Sequence, residues 1–388
     1  MIYDVIIVGG GAAGLMAASK LCSKNKKVLV LEGAQRVGKK LLSTGAGRCN
    51  LSNKNISPAC FCGDTYFLRE FLEKYSYERI RDEFLKLGLL IREDNEGRAY
   101  PYSMQATTVL DILRKESEKA ETVCECEVID IKKSKDIFKI FSKDGKAFEG
   151  KNVIIACGGK ASNQLASKTG GYMLAEKMGH KIKSLIASLV PVLVNPNEVK
   201  ALKGIRARAK VTLLDNGKTI AEDLGEVQFA DGALSGICVF NISRFAKKGM
   251  KIRLDLMPEY SKEEIEKMIK EDVASEIFLG MLNKRVYAQA FKAKGFSLSE
   301  KISPKDAAFC VKNFEFNVLG TQGFDKAQVT AGGVSISEID PKTMQSKKAD
   351  GLYFAGEILD IDGLCGGFNL HFAWSSAFAA CEDIIRRT

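Results

Sequence analysis

Histidine is nearly absent from this sequence of 388 residues, which contains only His180 and His371. A metal centre built from several imidazoles, or a catalytic scheme that uses two of them, is therefore disfavoured. Proline is also rare, with seven residues, and no apolar run approaches the roughly 18 residues that span a bilayer. The composition, 46% hydrophobic and 27% charged, is that of a multidomain globular protein without a membrane partner.

The eleven cysteines include no C-x-x-C pair. The close pairs are Cys60 with Cys62 and Cys124 with Cys126, and the second pair falls within a strand predicted over residues 122–131. Zinc binding by both pairs is the alternative, but free, buried or half-buried thiols and no metal site are favoured. Because the first residues lack the features of a signal peptide, the protein is expected to be cytoplasmic.

The net charge of +10 raises the question of a polyanionic partner. Basic residues concentrate in segment 181–218, where Arg206, Arg208 and Lys210 would share one face of a strand. Such a face could steer an anionic substrate, a CoA ester or a nicotinamide phosphate. A solvated strand face is favoured, and nucleic acid is a disfavoured partner.

The first residues carry a dinucleotide-binding pattern. A β-branched run at residues 3–8 leads into Gly9, Gly11 and Gly14 in a G-x-G-x-x-G arrangement, and a second apolar strand at 27–31 ends in Glu32. Here Gly9 permits a sharp turn, Gly11 lets the backbone approach a pyrophosphate, and Gly14 allows close packing of helix and strand. The helix N-terminus offers unpaired N–H groups to phosphates. Glu32 can accept hydrogen bonds from ribose hydroxyls, so an ADP-containing cofactor is expected.

The rest of the sequence predicts further α/β structure. Helices are expected over 66–87 and 107–119, and strands over 122–131, 138–141 and 147–149. A parallel strand from residue 152 then runs into Gly158 and Gly159. A three-stranded meander that returns to the parallel sheet is typical of flavin domains. Capping patterns at Ser261 and Ser303 begin two later helices, and a helix over 368–387 ends the chain.

Three stretches together resemble one protein family. They are GKKLLSTGAGRCNLSN at 38–53, GRAYPYSMQA at 97–106, and TAGGV at 330–334 with AGEILDIDGLCGGFNL at 355–370. These strings are similar to those of the YhiN/BaiN-type (HI0933-like) family of bacterial FAD-dependent flavoproteins. The resemblance covers nearly the whole chain and implies FAD as the cofactor.

The expected fold class is α/β, with a split Rossmann-like FAD-binding domain, an inserted β-rich domain and a small helical domain. We expect the FAD-binding domain at residues 1–188 and 331–388, and a β-rich, barrel-like domain at 189–257 and 320–330. Residues 258–319 would form the small helical insert. No second G-x-G-x-x-G follows residue 14, so NAD(P)H would visit as a transient co-substrate rather than occupy a Rossmann domain of its own.

The resemblance also implies site residues. Asp360 would bind ribityl or pyrophosphate oxygens, residues 367–370 the pyrimidine edge of the flavin, and Val128 the adenine through its backbone. Lys39 and Lys40 could neutralise the pyrophosphate. The predicted cofactor-binding residues are Gly9, Gly11, Ala12, Ala13, Gly14, Glu32, Gly38, Lys39, Lys40, Thr44, Gly47, Arg48, Cys49, Asn50, Val128, Ala156, Gly158, Gly356, Glu357, Asp360, Gly367, Phe368, Asn369 and Leu370.

No catalytic residue is assigned. Arg48, between a glycine and a cysteine in a short turn, is a candidate for cofactor or substrate contact. His371, one turn into the last helix, is a candidate proton donor, although a packed helix residue is favoured. His180 is expected to be structural or exposed. Cys49 and Cys365 lack the spacing of a disulfide relay and are expected to be free thiols.

Three functions remain open from the sequence. The first is an FAD-dependent oxidoreductase that acts on a small or medium organic substrate by flavin hydride transfer. By resemblance, the reaction would be NAD(P)H-dependent reduction of a conjugated C=C bond in a bile-acid-like intermediate. The first alternative is an aminoacetone-type amine oxidase that produces hydrogen peroxide. The second alternative is a flavin-bearing protein that binds nucleic acid or another protein.

Overall fold

The computed structural model describes residues 1–162 and 170–387. The chain divides into two compact units, one formed by Met1–Ile186 with Val329–Thr388 and the other by Ala187–Gln328. Both chain ends therefore contribute to the first unit. The finer division into three domains stays a prediction. Among the described residues, no helix is long and apolar enough to cross a membrane.

The strands of both units are mostly short, and the longest lie in the second unit. In chain order they are β1 (Ile2–Val8), β2 (Val28–Leu31), β3 (Ser52–Asn53), β4 (Phe61–Gly63), β5 (Ile91–Glu93), β6 (Arg98–Pro101), β7 (Glu121–Val123), β8 (Val128–Ser134), β9 (Ile137–Ser142), β10 (Ala147–Ile155), β11 (Ile182–Ser188), β12 (Val192–Leu193), β13 (Arg206–Asp215), β14 (Lys218–Ala230), β15 (Ala233–Ser235), β16 (Lys251–Asp255), β17 (Asp272–Val273), β18 (Lys301–Ile302), β19 (Phe314–Asn317), β20 (Gly320–Thr321), β21 (Val329–Val334), β22 (Leu352–Phe354) and β23 (Ile361–Gly363).

The α-helices are also short, apart from the last one. In chain order they are α1 (Ala12–Cys22), α2 (Leu68–Lys74), α3 (Tyr77–Lys86), α4 (Ala106–Glu116), α5 (Gly170–Lys177), α6 (Pro196–Val199), α7 (Ile237–Ser243), α8 (Lys262–Met268), α9 (Lys284–Ala293), α10 (Pro304–Lys312), α11 (Gly323–Lys326) and α12 (Phe368–Arg387). Single 3-10 turns occupy Pro58–Cys60, Lys200–Leu202 and Ile336–Glu338, and Leu41–Gly47 contains 3-10 structure interrupted by non-helical backbone at Thr44, Gly45 and Ala46.

The first unit is built on a Rossmann-type sheet. Its strands run in the order β7-β2-β1-β10-β9-β8, and β22 pairs with β10. The pairs β1–β2, β1–β10, β2–β7 and β10–β22 are parallel, with Val5 opposite both Val28 and Asn152. The predicted meander is present because β9 pairs antiparallel with β10, and β8 pairs antiparallel with β9. The predicted α/β fold class is confirmed.

The first helix and the last pack on each other next to this sheet. Small side chains allow the close approach: Ala17, Ala18, Ala377 and Ala380 are each almost inaccessible to solvent. The thiol of Cys381 on α12 donates to the carbonyl oxygen of Ala17 on α1, at 3.6 Å. The helix predicted over 368–387 is confirmed, and it brings the end of the chain against its beginning.

The prediction of one strand over 122–131 is wrong. Strand β7 ends at Val123, and the chain turns at Glu125, whose φ is +55°. The backbone N–H groups of Glu125 and Cys126 donate to the carbonyl oxygens of Ala34 and Glu32, each at 2.9 Å, before β8 begins. Cys124 and Cys126 therefore do not share one face of a strand.

Two other boundaries also differ from the prediction. The helix expected over 66–87 is two helices, because Ser76 has extended backbone and caps α3 through the N–H of Arg79. The strands expected at 147–149 and from 152 are one strand, β10, which pairs with β9 at its start and with β1 along most of its length. One strand therefore serves both the meander and the parallel sheet.

The second unit contains an antiparallel sheet in the order β19-β16-β13-β14-β15-β12-β20. The rings of Phe229, Phe314 and Phe316 pack against one another at tilted angles in its buried core. The predicted caps are confirmed: Ser261 and Glu264 form a capping box at the start of α8, and Ser303 caps α10 through the N–H of Asp306. The caps satisfy N–H groups that have no partner inside the helix.

The predicted basic face lies on β13 of this sheet, but its charges are neutralised. Arg206 pairs with Glu226 at 3.0 Å, Arg208 with Glu259 at 2.7 Å, and Lys210 with Glu222 at 2.9 Å. All three pairs are well exposed, so they add little stability. Their effect is to leave little net positive charge along this strand.

Candidate cofactor site

The three motif glycines in the turn between β1 and α1 have different surroundings. At Gly9, with φ of +107°, a Cβ atom would lie 2.5 Å from the carbonyl oxygen of Ala156. At Gly14 a Cβ atom would lie 1.9 Å from the carbonyl oxygen of Gly9. The protein's own packing therefore requires glycine at both positions, since real Cβ atoms do not approach backbone that closely.

Gly11 is different, because the described protein atoms do not require a glycine there. Its φ is −83°, which any residue adopts, and a Cβ atom would meet nothing within 4 Å. Gly11 is the N-cap of α1, so the free space adjoins the unpaired N–H groups of the first turn. The open space and the positive end of the helix dipole fit a pyrophosphate group. Ala12 and the buried Ala13 follow as the first helical residues.

Glu32 is held in place at the carboxyl end of β2. Its two carboxylate oxygens accept hydrogen bonds from the N–H groups of Gly10, at 2.7 Å, and Ala34, at 2.8 Å. Each oxygen keeps a lone pair for a further donor such as a ribose hydroxyl. Val128, the predicted adenine contact, is the first residue of β8 and follows two residues after Cys126, whose N–H donates to the Glu32 carbonyl oxygen.

The chain after β2 returns to the same turn. Gly38 donates its N–H to the carbonyl oxygen of Gly10 at 2.8 Å, and a Cβ atom on Gly38 would lie 2.3 Å from the Leu110 side chain. Lys39 is exposed, whereas Lys40 forms an ion pair with Glu357 in which Nζ and Oε2 are 2.7 Å apart. Lys40 therefore neutralises a carboxylate of the same site.

The Glu357 carboxylate also helps to connect β21 with the loop that follows β10. Its Oε1 accepts a hydrogen bond from the N–H of Thr330 at 2.8 Å. The Thr330 hydroxyl accepts one from the N–H of Ala161, also at 2.8 Å. Thr330 begins the TAGGV stretch of the family resemblance, but it was not among the predicted site residues, because its role depends on a contact with a residue 27 positions away. Gly158, with φ of +71°, has open space where its Cβ would be.

The loop from Thr44 to Asn50 has an unusual backbone. Positive φ angles occur at Gly45, Ala46, Gly47 and Cys49, two of which are not glycine. The Thr44 carbonyl oxygen accepts the N–H of Cys49 at 2.9 Å, which closes the turn. The thiol of Cys49 is buried, and this burial raises its pKa to about 12, so it stays protonated.

Arg48 projects from this loop to the surface. It is exposed, with its guanidinium 5.6 Å from the centre of the Tyr100 ring. Its Nε donates to the carbonyl oxygen of Gly45 at 3.3 Å. The position leaves Arg48 accessible to a ligand, and its role stays a prediction.

Asn50 and Gly367 meet where the loop approaches the start of α12. The Oδ1 atom of Asn50 is buried and accepts no hydrogen bond from the described residues. A Cβ atom on Gly367, whose φ is +97°, would lie 2.5 Å from this atom and 2.4 Å from the carbonyl oxygen of Ser52. An unsatisfied buried acceptor is costly, so it fits a ligand that donates a hydrogen bond.

The start of α12 is held by its own side chains. The amide of Asn369 exchanges two hydrogen bonds of 2.8 Å with the backbone of Gly363. Phe368 packs edge-on against Phe61, and Leu370 is half-buried. The first N–H groups of this 20-residue helix have no intrahelical acceptor, which suits the electron-rich pyrimidine edge of a flavin.

Two more predicted site residues lie just before this helix. Gly356 donates its N–H to the Ser376 hydroxyl at 2.9 Å and approaches Ala13, which a Cβ atom would meet at 3.2 Å. Asp360 is buried, with 7% of its surface exposed, and its N–H donates to the Val334 carbonyl oxygen. The strand end and α1 are thus brought together at the predicted cofactor site.

His371 is fully buried, and both ring nitrogens have partners. Nε2 lies 2.8 Å from the Tyr75 carbonyl oxygen, to which it must donate, so Nδ1 accepts from the Ser52 hydroxyl at 2.7 Å. Burial lowers the pKa of this imidazole to about 4. These contacts favour a structural role over proton donation.

His180 also has a structural setting. Its Nε2 lies 2.7 Å from the Ser346 hydroxyl, and burial lowers the pKa of the ring. Within residues 1–162 and 170–387, no group of three or more His, Cys, Asp or Glu side chains could hold a metal ion.

Known proteins match this chain over nearly its whole length. Residues 3–383 match the family described as HI0933-like protein Rossmann domain. The chain is 36% identical to a 3-dehydro-bile acid delta(4,6)-reductase of Clostridium scindens, covering 96% of this chain and 97% of that protein. It is 30% identical to a ribosomal RNA dihydrouridine synthase of Haemophilus influenzae, with 98% of each chain covered.

Among solved structures, a 3-ketosteroid-delta4-(5alpha)-dehydrogenase from Rhodococcus jostii in complex with 4-androstene-3,17-dione has a similar fold. The TM-score is 0.55 at 14% identity, with 99% of this chain and 97% of that chain covered. At this identity the likeness concerns the fold alone.

Proposed function

The chain belongs to the HI0933-like family, as its three motif stretches predicted, and is an FAD-dependent oxidoreductase; we propose that it reduces a C=C bond conjugated with a carbonyl group. The activity named for the Clostridium scindens relative is the observation that carries this proposal, because the match spans both chains almost completely. A bile-acid-like enone is the proposed substrate class. NAD(P)H is the proposed electron donor.

The first unit offers the groups that such a reaction needs. The open space at Gly11 would take the pyrophosphate, and Glu32 would accept from the adenosine ribose. The start of α12 and the unsatisfied Asn50 would contact the flavin ring system. When bound, FAD supplies hydride transfer at its N5 atom, and N–H dipoles at the pyrimidine edge would stabilise the negative charge that accumulates there.

Reduction of uridine in ribosomal RNA is the second candidate. The Haemophilus influenzae relative favours it, and the chemistry is related, because the C5=C6 bond of uracil is also conjugated with a carbonyl group. The net charge of +10 would help RNA binding. The paired charges of Arg206, Arg208 and Lys210 count against that strand as the RNA-binding surface.

Anaerobic spectroscopy tests these proposals. We expect NADH or NADPH to bleach the visible flavin band of the purified protein within seconds to minutes, and aminoacetone to leave it unchanged. A 3-oxo-Δ4 steroid added afterwards should restore the band, because the reduced flavin passes its hydride to the enone. A saturated 3-oxo steroid is the matched control and should not restore it.

Other outcomes would change the assignment. Restoration of the band by uridine-containing ribosomal RNA, but not by the steroid, would replace the bile-acid proposal with the second candidate. Bleaching by aminoacetone alone, with peroxide formed on admission of air, would contradict the reductase proposal and support the amine oxidase.

A further inference from the structure

Tyr172 on α5 has a hydroxyl group with an unusual hydrogen-bonding environment. The hydroxyl oxygen is buried, and no described residue bonds to it. Two fully buried phenols in the same unit show the usual arrangement: Tyr75 donates to Glu382 at 2.9 Å and Tyr353 to Asp383 at 2.8 Å. Buried hydroxyls almost always have a partner, so this exception needs an explanation.

The surroundings of this hydroxyl belong to the predicted cofactor site. Burial raises the pKa of the Tyr172 phenol, and the negative charges of Glu357 and Asp360 contribute to the shift. Next to Tyr172, Gly171 lies so close to Cys157 that a Cβ atom would be 2.8 Å from the Cys157 Cβ. The phenol therefore stays protonated and can donate a hydrogen bond, and Glu357 and Asp360 are near enough to act on it electrostatically.

The combination of one donor and two carboxylates selects the kind of ligand group. A phosphate would be repelled by Glu357 and Asp360, although Lys40 offsets the charge of Glu357. A hydroxyl group fits, because it can donate to a carboxylate and accept from a phenol at the same time. A chain of hydroxyl groups is what the ribityl part of FAD presents, whereas its pyrophosphate has the open N-terminus of α1.

We propose that Tyr172 is a cofactor-binding residue that donates its phenolic hydrogen bond to a ribityl hydroxyl of FAD. This inference rests on FAD binding by the proposed function and goes beyond it by assigning a residue and a contact. It explains why the hydroxyl has no partner among the described residues: the acceptor belongs to the cofactor.

Equilibrium binding to the apoprotein tests the contact. In Tyr172→Phe, FAD should bind about tenfold more weakly, as expected for one lost hydrogen bond in a buried site. The melting temperature of the apoprotein should stay the same or rise, because the variant removes an unsatisfied buried group. Tyr3→Phe is the matched control. It removes a phenol that already donates to Glu121 at 2.6 Å, and it should leave FAD affinity unchanged.

FAD analogues that each lack one ribityl hydroxyl identify the acceptor. The analogue that lacks the acceptor hydroxyl should bind the wild-type protein about tenfold more weakly than FAD does. Its affinity should fall no further in Tyr172→Phe, because the analogue and the variant each remove the same hydrogen bond. Equal FAD affinity in wild type and Tyr172→Phe, or fully additive losses for every analogue, would overturn the proposal while leaving FAD binding intact. Failure of wild type to bind FAD would instead contradict the proposed function.

Discussion

Gly11→Val is expected to give a folded protein that has lost FAD. Apart from the two chain neighbours, no described residue has an atom within 4 Å of the position that a Cβ would take, and φ of −83° suits valine, so the apoprotein should melt within a few degrees of wild type. The branched side chain would occupy the space assigned to the pyrophosphate. We expect FAD affinity to fall by at least about 100-fold, which corresponds to about 2.7 kcal/mol. Fluorescence titration of the apoprotein with FAD measures this loss.

Gly14→Val provides the contrasting control. Its Cβ would lie 1.9 Å from the Gly9 carbonyl oxygen, so the helix and the turn would have to move apart. This variant should lose folding stability, by about 3 kcal/mol or more, before any question of cofactor binding arises. A Gly11→Val protein with normal FAD affinity would mean that the pyrophosphate lies elsewhere.

His371→Gln is expected to reduce the sensitivity of the protein to acid. The folded pKa of His371 is lowered to about 4 from 6.5, so the unfolded chain takes up the proton first. The stabilising contribution of the neutral imidazole is complete above pH 6.5 and is lost as the pH falls toward 4. The full loss is about 3 kcal/mol, and about 2 kcal/mol should be lost by pH 5.

Glutamine can keep both hydrogen bonds of His371 without titrating. Its amide N–H can donate to the Tyr75 carbonyl oxygen while its oxygen accepts from Ser52. Urea unfolding of both apoproteins at pH 7 and pH 5 measures the difference. The pKa of His180 is lowered too, but that residue is present in both proteins and its effect cancels. The same loss of stability in wild type and His371→Gln would contradict the buried neutral histidine.

Local patterns predicted the parts of the fold that depend on local chemistry. The glycine turn between β1 and α1 was readable because turn glycines and β-branched strands have their own signatures. The capping residues Ser261 and Ser303 were readable for the same reason. The family resemblance then joined the two chain ends into one cofactor domain.

The features that sequence reasoning missed depend on distant contacts. The turn at Glu125 divides one predicted strand into two because Ala34 and Glu32 accept its backbone hydrogen bonds. Lys40 forms an ion pair with Glu357, which is 317 positions away in the sequence. Tyr172 has no sequence motif that marks it, and it is identified only by a buried hydroxyl that has no partner among the described residues. Hydrophobic periodicity in the sequence indicates which face of a helix or strand is buried, but it does not indicate which residues that face contacts.

The stoichiometry of FAD binding tests whether the first unit is an FAD-binding domain. Purified protein should be incubated with FAD, freed of excess cofactor by gel filtration, and denatured so that released flavin can be quantified by absorbance. We predict close to one FAD per chain, with the Gly11→Val variant close to zero. A folded wild-type protein that retains no flavin after this treatment would contradict the assignment of the first unit as an FAD-binding domain.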